Sequence, residues 1–147
     1  VSNGRVDREK LAGALRENPA NFGKLERIIH PLVRDAQQKF LDEQRSAGAV
    51  FAVLDIPLLF ETGAESRVDT IVVVSCPPDV QRQRVLARPG MTEEKFQMIL
   101  ARQLPDGEKR RRANFVIDTS RGIPEAHEQV RSVLANLSAE RKGKDNA

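Results

Sequence analysis

Three short apolar runs constrain the fold of this chain more than any other feature. They are rich in β-branched residues, lack polar alternation and read AVFAVL (49–54), TIVVVS (70–75) and NFVID (114–118). Continuous runs of this kind are typical of strands covered on both faces, as in a parallel sheet. Helical patterns precede, separate and follow them, so the sequence predicts an α/β fold.

The segment before the first run is predicted to be helical. DREKLAGALREN, with Asp7 as its N-cap, is expected to form one helix that the following Asn-Pro pair ends. The apolar residues beyond keep a helical period, but Pro31 interrupts it because a proline removes a hydrogen bond and clashes with the preceding turn. A short helix to about Ile29 and a longer one with Pro31 in its first turn are therefore expected.

The rest of the chain also carries helical patterns. Helices are predicted over 78–88 and 92–104, followed by a short charged segment, and another over 124–137. Residues 140–147 are predicted to be a disordered polar tail. Three strands make a thin sheet for an α/β domain, so at least one further strand is expected to be absent from this sequence.

The stretch DIPLLFE (55–61) follows the first predicted strand. In parallel sheets, ligands bind at the carboxyl ends of the strands, so this stretch bears on function as well as on packing. Glu61 is the best acidic candidate there, although capping of the following helix explains it equally well.

The charge of the chain is unevenly placed. The net charge is +3, but nine basic and four acidic residues lie between Arg82 and Arg112, so this segment carries +5 and the remainder −2. A local basic cluster in a slightly acidic body favours a phosphate-bearing ligand over general nucleic-acid coating. A solvated helical face is the alternative interpretation.

Arg84 and Arg88 are the most informative pair in this cluster. At positions i and i+4 of a helix they project from one face, where two guanidinium groups can clamp a polyphosphate. Guanidinium groups bind phosphate oxygens bidentately and keep their charge throughout phosphoryl transfer. Two surface arginines in weak ion pairs are the alternative.

Several other patterns are missing from the sequence. A phosphate-binding loop, G-x-x-x-x-G-K-[ST], does not occur, since the two Gly-Lys pairs are followed by Leu25 and Asp145. The single cysteine excludes a disulfide framework, and no apolar stretch approaches the roughly 20 residues that span a bilayer. A cytoplasmic location is expected. Nucleic-acid binding is disfavoured because the chain has no Trp or Tyr on which bases could stack.

Six motifs occur in register between residue 4 and about residue 122: NGRVDREKLAGAL, IIHPLV, DIPLLFE, QRQRVLAR, MILARQ and ANFVID. Together they resemble the dephospho-CoA kinase family, P-loop kinases related to nucleoside monophosphate kinases. The residues that carry the resemblance before the last motif are Gly4, Asp7, Arg8, Leu11, His30, Pro31, Pro57, Leu58, Leu59, Phe60, Glu61, Gln81, Arg84, Arg88 and Gln103.

The resemblance implies a P-loop NTPase type of parallel sheet with a helical substrate domain and a helical lid. It implies transfer of the γ-phosphate of ATP, with Mg²⁺, to the ribose 3′-hydroxyl of dephospho-CoA, the last step of coenzyme A biosynthesis. The implied parts are a CoA-binding part over 1–48, an α/β core over 49–88 and 113–139, and a lid over 89–112.

The resemblance also implies residue roles. Arg84 and Arg88 are expected to hold the ATP phosphates and to act in catalysis, and Thr119, Ser120 and Gly122 to contribute to nucleotide binding. The expected substrate-binding residues are Arg8, His30, Pro57, Leu58, Glu61 and Gln103. From the residue pattern alone, His30 is interpreted as a helix cap or a packed residue.

The chain departs from the family pattern in two ways. Asn114 stands where the family usually has Asp, and Thr119 where it often has Asn, beside the loop that resembles the adenine-binding region. The family's opening strand, phosphate-binding loop and second strand have no counterpart here, so the chain is expected to lack about the first third and to be inactive alone. A non-catalytic piece with residual CoA or nucleotide binding, and a kinase of another small nucleotide-like substrate, are the alternatives.

Overall fold

The computed structural model describes residues 6–18 and 20–145, which form six α-helices, a short 3₁₀ turn (Glu65–Arg67) and a two-stranded sheet. The described residues separate into two compact units, the first extending to Asp55 and the second beginning at Ile56. The first unit is helical, and the second contains the sheet.

α1 (Arg8–Glu17) begins where the sequence predicts. The Asp7 carboxylate accepts hydrogen bonds of 3.1 Å from the N–H groups two and three residues further on. These N–H groups have no partner within the helix itself, which is why Asp is favoured at the N-cap. The helix ends at Asn18, whose side-chain oxygen accepts from the N–H of Ala20 at 3.0 Å. The predicted first helix is confirmed.

α2 (Ala20–Ser46) is one continuous helix that passes through Pro31, so the predicted break near Ile29 is wrong. A proline inside a helix costs about 3 kcal/mol, because it removes one backbone hydrogen bond and crowds the preceding turn. In a helix of 27 residues the turns on both sides keep their own hydrogen bonds, and they outweigh that local loss.

The first apolar run, 49–54, does not form the strand that the sequence predicts. Residues 51–56 have no regular secondary structure, and Val53 is 80% exposed. A β-strand exists only as part of a hydrogen-bonded ladder. The sheet of the described residues contains β1 and β2 and no third strand, so apolar composition alone predicted a strand where no ladder forms.

β1 (Val72–Ser75) and β2 (Phe115–Asp118) form a parallel sheet, as predicted for the second and third runs. The register pairs Val72 with Phe115 at the start of the two strands and Ser75 with Asp118 at their end. Val73 and Ile117, one on each strand, are 9% and 7% exposed and contribute the sheet's share of the buried core.

Asn114 marks the amino end of this pairing. Its side-chain oxygen accepts from the N–H of Ile71 at 2.8 Å, and its own N–H donates to the carbonyl of Ile71 at 2.9 Å. The residue therefore lies at the end of β2 opposite to the carboxyl edge, and its contacts are those that begin the sheet.

Parallel strands require a crossover connection, and three helices provide it. They are α3 (Pro78–Leu86), α4 (Glu93–Leu100) and α5 (Asp106–Arg112). α3 and α4 contact each other, and α5 packs against β1. Phe96 of α4 is 6% exposed and is the buried side chain of this connection. The predicted helices over 78–88 and 92–104 are confirmed, although both end earlier than predicted.

α6 (Ile123–Asp145) packs against β2. The helix includes 140–145, which belong to the tail over 140–147 that the sequence predicted to be disordered; residues 146 and 147 lie outside the described residues. Four of the six residues 140–145 are Glu, Arg or Lys, which are favourable helix formers.

Candidate functional site

The carboxyl ends of the two strands lie side by side, because the register pairs Ser75 with Asp118. Thr119 follows β2 and bonds across this edge: its N–H and its hydroxyl both donate to the carbonyl of Ser75, at 2.9 and 3.1 Å. In α/β proteins with parallel sheets this is the edge at which ligands bind. The predicted nucleotide loop, 119–122, therefore begins at the expected place in the fold.

Arg84 reaches this edge from α3. Its Nη1 donates to the hydroxyl of Thr119 at 3.1 Å, and its Nη2 donates to the Thr119 carbonyl at 2.8 Å. Two residues that the sequence assigned separately to ATP binding are thus brought together. The guanidinium has five N–H donors, and these contacts use two of them, so donors remain for an anionic ligand.

The loop after β2 is tightly bonded. The Asp118 carboxylate accepts from the N–H of Ser120 at 2.7 Å, and Gln129 of α6 bonds to both backbone groups of Asp118 at 2.8 Å. The bonds from Ser120, and next the charges of Arg121 and Arg110, hold the pKa of Asp118 below its usual range. Its carboxylate thus stays ionised and keeps the loop in place.

Gly122 ends this loop with a φ of 100°. That conformation is one which residues with a Cβ rarely adopt, so the sequence needs glycine here.

Arg88 lies elsewhere. α3 ends at Leu86, so the prediction that Arg84 and Arg88 share one face of a helix is wrong. Arg88 stands in the turn after the helix and lines a small cleft of about 150 Å³. The helix ends early because the Pro-Gly pair at 89–90 disfavours helical conformation in the residue before it, and Gly90 adopts a φ of 73°.

The cleft that contains Arg88 combines polar and apolar side chains. Its lining residues are Gln81, Val85, Arg88, Met91, Phe96, Ile99, Leu100 and Gln103. Gln81 and Gln103, which the sequence analysis took from two separate motifs, therefore face the same space as Arg88. Phe96, Ile99 and Leu100 of α4 lie together along this cleft.

Glu61 lies in the turn 57–63, which also contains Pro57 and Leu58. Its Oε1 accepts from the Nζ of Lys109 at 2.8 Å and from the N–H of Leu104 at 2.8 Å. Burial raises the pKa of Glu61, but the hydrogen bonds from Lys109 and Leu104 outweigh it and hold the pKa below its usual range. The alternative role in capping the next helix is not seen, since the 3₁₀ turn that follows has no side-chain cap.

α5 is held to its surroundings by further polar contacts. Ser75, which is 8% exposed, donates its hydroxyl to both carboxylate oxygens of Asp106 at 2.9 Å. Arg112 forms an ion pair with Glu65, and its guanidinium carbon lies 4.7 Å from the centre of the Phe60 ring. The sequence analysis missed Asp106 and Lys109 as site-forming residues and counted them only within the charged segment.

Comparison with known proteins identifies the family. A family model described as dephospho-CoA kinase matches residues 1–125. A dephospho-CoA kinase of Agrobacterium fabrum is 62% identical over 136 residues, which are 92% of this chain and 70% of that protein. The chain belongs to the dephospho-CoA kinase family. A dephospho-CoA kinase of Brucella melitensis is 54% identical over 138 residues, or 94% of this chain and 69% of that protein.

Two solved structures share the fold of this chain. A crystal structure of TT1252 from Thermus thermophilus matches with a TM-score of 0.72 and 34% identity, over 93% of this chain and 70% of that one. A dephospho-CoA kinase from Campylobacter jejuni matches with a TM-score of 0.67 and 23% identity, over 96% and 70%. At that identity the second match shows the fold alone. The predicted α/β fold is confirmed.

Dephospho-CoA kinases catalyse the last step of coenzyme A biosynthesis, in which ATP phosphorylates dephospho-CoA. The predicted family and the predicted kinase activity are confirmed by these matches. ATP and dephospho-CoA are accordingly the substrates that membership of this family implies.

Two of the predicted substrate-binding residues belong to the first unit. His30 lies inside α2 and is exposed, and not at a helix start as the sequence predicted. Arg8 is the first residue of α1, and its side chain lies outside the described part of the structure.

Two further kinds of feature, a membrane-spanning helix and a cluster of metal ligands, are absent from the described residues. None of the helices between residues 6 and 145, as far as they are described, has the length and apolar character needed to cross a membrane. Within the same residues, no group of three or more His, Cys, Asp or Glu side chains could hold a metal ion.

Proposed function

We propose that the second unit binds ATP at the carboxyl edge of its sheet, with Arg84 and Arg88 contacting the phosphates during phosphoryl transfer to the ribose 3′-hydroxyl of dephospho-CoA. The observation that carries the proposal is the pair of bonds from Arg84 to Thr119, 2.8 and 3.1 Å long. They orient a permanently charged guanidinium beside the loop that resembles the family's adenine-binding region.

The loop itself is suited to a neutral ligand part such as a base or a ribose. Asp118 uses its carboxylate on the N–H of Ser120, and Gln129 occupies the backbone groups of Asp118. What the loop offers a ligand is therefore its backbone beyond these contacts and the Gly122 position, where a missing Cβ allows close approach.

Arg88 is proposed to act on the transferred phosphoryl group. The arginine pairs with none of the carboxylates in the ion pairs among residues 6–18 and 20–145, whereas its neighbour Arg82 is paired with Glu93 at 2.6 Å. Phosphoryl transfer requires little covalent chemistry from the protein and depends on positioning and on stabilisation of developing charge. A mobile arginine in such a role is worth about 10³–10⁵ in rate in the wider P-loop class.

The acceptor side of the proposal rests on the family resemblance. Pro57, Leu58 and Gln103 of the second unit are proposed to contact dephospho-CoA. For Arg8 and His30 of the first unit, substrate binding stays a prediction from the resemblance. Leu58 is 43% exposed and Gln103 lines the cleft beside Arg88, so both are accessible to a ligand.

Mg²⁺ and the cytoplasm complete the proposal. Mg²⁺ accompanies ATP in enzymes of this chemistry and is commonly bound by one or two carboxylates together with substrate phosphates. The cytoplasm is proposed as the location because ATP is the phosphoryl donor.

The test is a kinase assay with ATP and dephospho-CoA on the protein expressed from the full coding region that contains this chain. Arg88→Ala is expected to lower kcat by about 10³ or more while the KM for ATP changes little. Arg131→Ala, which removes an exposed ion pair with Glu128 on α6, is the control. An unchanged kcat for Arg88→Ala would contradict the proposed role.

Residues 1–147 alone are proposed to lack turnover, since their sequence contains no G-x-x-x-x-G-K-[ST] pattern to cradle the phosphates. Calorimetric titration of this polypeptide with ATP and with dephospho-CoA, beside the same assay, separates binding from catalysis. Turnover by these residues alone would overturn this part of the proposal.

A further inference from the structure

Two turns that are far apart in sequence are joined by one carboxylate. Glu61 lies in the turn 57–63, and its Oε1 accepts the backbone N–H of Leu104, in the connection 101–105 between α4 and α5, at 2.8 Å. A hydrogen bond to a charged group is about twice as strong as one between neutral groups. The bond therefore fixes the backbone of the second turn to the first.

Lys109 adds a second link between the same two turns. Its Nζ donates to Oε1 of Glu61 at 2.8 Å and lies 3.4 Å from the side-chain oxygen of Gln103. The side chains of Lys109 and Glu61 are 17% and 15% exposed, so their interaction is screened less by water than the surface ion pairs of this chain.

This contact network ends in the cleft. Gln103 bonds with Lys109 on one side and lines the same space as Arg88 on the other. Gln103 is restrained by its anchored backbone and by the Lys109 ammonium group. Its side chain therefore loses less conformational entropy when a ligand binds.

We infer that Glu61 is a positioning residue for the kinase reaction. It holds the backbone of Gln103 and Leu104 in place beside the Arg88 cleft and does not itself bind substrate, in contrast to the role that the sequence suggested. The inference rests on the proposed function for the roles of Arg88 and Gln103. The Oε1 of Glu61 already accepts from two donors, so a ligand could use this oxygen only in competition with them.

The first test measures structure and needs no activity. In Glu61→Ala, the amide hydrogen of Leu104 is expected to exchange about tenfold faster, while the amide of Val116 in β2 exchanges as before. Glu61→Gln keeps a carbonyl oxygen that can accept both donors, so its Leu104 amide should exchange within about twofold of the wild type. Unchanged exchange in Glu61→Ala would overturn the inference.

The second test is a double-mutant cycle in the kinase assay, with the protein from the full coding region. Glu61→Ala is expected to lower kcat/KM about tenfold in the wild type but less than about twofold in the Gln103→Ala background. Equal losses in both backgrounds would mean that Glu61 does not act through Gln103, and they would overturn the inference.

A substitute variant and a comparison with Arg88→Ala complete the tests. If Glu61→Ala does not fold, Glu61→Asp is used in its place, because aspartate keeps the charge but its side chain is shorter by one methylene group. The Leu104 amide is again expected to exchange faster than in the wild type. Unchanged exchange in Glu61→Asp would overturn the inference. Full activity of Arg88→Ala would overturn the proposed role of Arg88 alone, and the exchange result would then decide about Glu61.

Discussion

Arg84 and Thr119 are joined by two hydrogen bonds, from Nη1 to the threonine hydroxyl at 3.1 Å and from Nη2 to the threonine carbonyl at 2.8 Å. The residues are 35 positions apart, on α3 and directly after β2. The pair connects a helix of the crossover to the carboxyl edge of the sheet, the edge at which open α/β sheets generally bind ligands.

Arg84→Lys tests what the geometry of this pair contributes. Lysine keeps the charge but cannot make two divergent bonds from a planar group. Because hydrogen bonds from charged groups are worth about 1.5–3 kcal/mol, we expect kcat/KM for ATP to fall about tenfold or more.

Steady-state kinetics at varied ATP concentration measures the effect of Arg84→Lys. Thr119→Ser is the matched control, because it keeps both the hydroxyl and the carbonyl that Arg84 bonds, and it should retain near-normal kinetics. Equal kinetics for Arg84→Lys and the wild type would show that only the charge of Arg84 is needed.

The sheet illustrates how much of the fold the sequence could predict. The runs 70–75 and 114–118 form β1 and β2, because the segments between them supply the crossover that a parallel pair requires. The run 49–54 has the same apolar composition, yet it forms no strand. Composition measures the tendency to be buried, whereas a strand also needs a neighbour, and sequence gives no information about that neighbour.

The site shows a similar division. The nucleotide-binding roles of the loop 119–122 and of Arg84 stay predictions from the motifs, although the structure brings Arg84 and Thr119 together. The link from Glu61 to Lys109 was not predicted from the sequence, since the partners are far apart in sequence and each has an ordinary local explanation. The prediction that Arg84 and Arg88 share a helix face was wrong for a local reason. It extended the helix to Arg88, the residue before Pro89, where helical conformation is disfavoured.

Ser75→Ala tests the contact between the sheet edge and α5. The Ser75 hydroxyl is buried and donates to both carboxylate oxygens of Asp106, at 2.9 Å. Asp106 is itself exposed, so water can replace the lost donor, and the expected loss is about 1 kcal/mol of unfolding free energy, or about 2–4 °C in Tm.

Thermal and urea unfolding measure this loss. Ser132→Ala is the control: its hydroxyl bonds a backbone carbonyl of α6 at 3.0 Å on an exposed face, and its removal should change stability by less than about 0.5 kcal/mol. Equal stability of Ser75→Ala and the wild type would contradict a structural contribution from the contact.

Phe96→Ala tests the packing of the α4 region. Phe96 is 6% exposed and lines the cleft with Ile99 and Leu100. Its truncation leaves a cavity, and we expect a loss of about 3 kcal/mol, the lower end for buried phenylalanine, because the adjoining cleft lets water enter.

The matched control for Phe96→Ala is Met98→Ala on the same helix. Met98 is 55% exposed, so its truncation should change stability by less than about 0.5 kcal/mol. Urea unfolding followed by far-UV circular dichroism compares the two variants. Similar losses for both would mean that α4 does not depend on the burial of Phe96.

Stability below neutral pH tests the ionised state of Glu61. Burial raises its pKa, but the bonds from Lys109 and the N–H of Leu104 outweigh it, so the pKa of Glu61 in the folded chain lies below its usual range. Above the unfolded pKa, near 4.5, the carboxylate is ionised in both states and its stabilising contribution is complete. As pH falls below that value, the unfolded chain takes up a proton first, and the contribution is lost until the folded pKa is passed.

The free energy of unfolding, measured by urea denaturation between about pH 7 and pH 3, should therefore fall more steeply for the wild type than for Glu61→Gln, which has no proton to take up at this position. Asp118 and Glu93 also have lowered pKa values, but both proteins retain them, so they contribute equally to the two slopes. Ser132→Ala, which changes no titratable group, is the control and should keep the slope of the wild type. An equal pH dependence of the unfolding free energy in Glu61→Gln and the wild type would mean that Lys109 and Leu104 do not favour the carboxylate form of Glu61. The charge of Glu61 would then contribute nothing to the contact between the two turns.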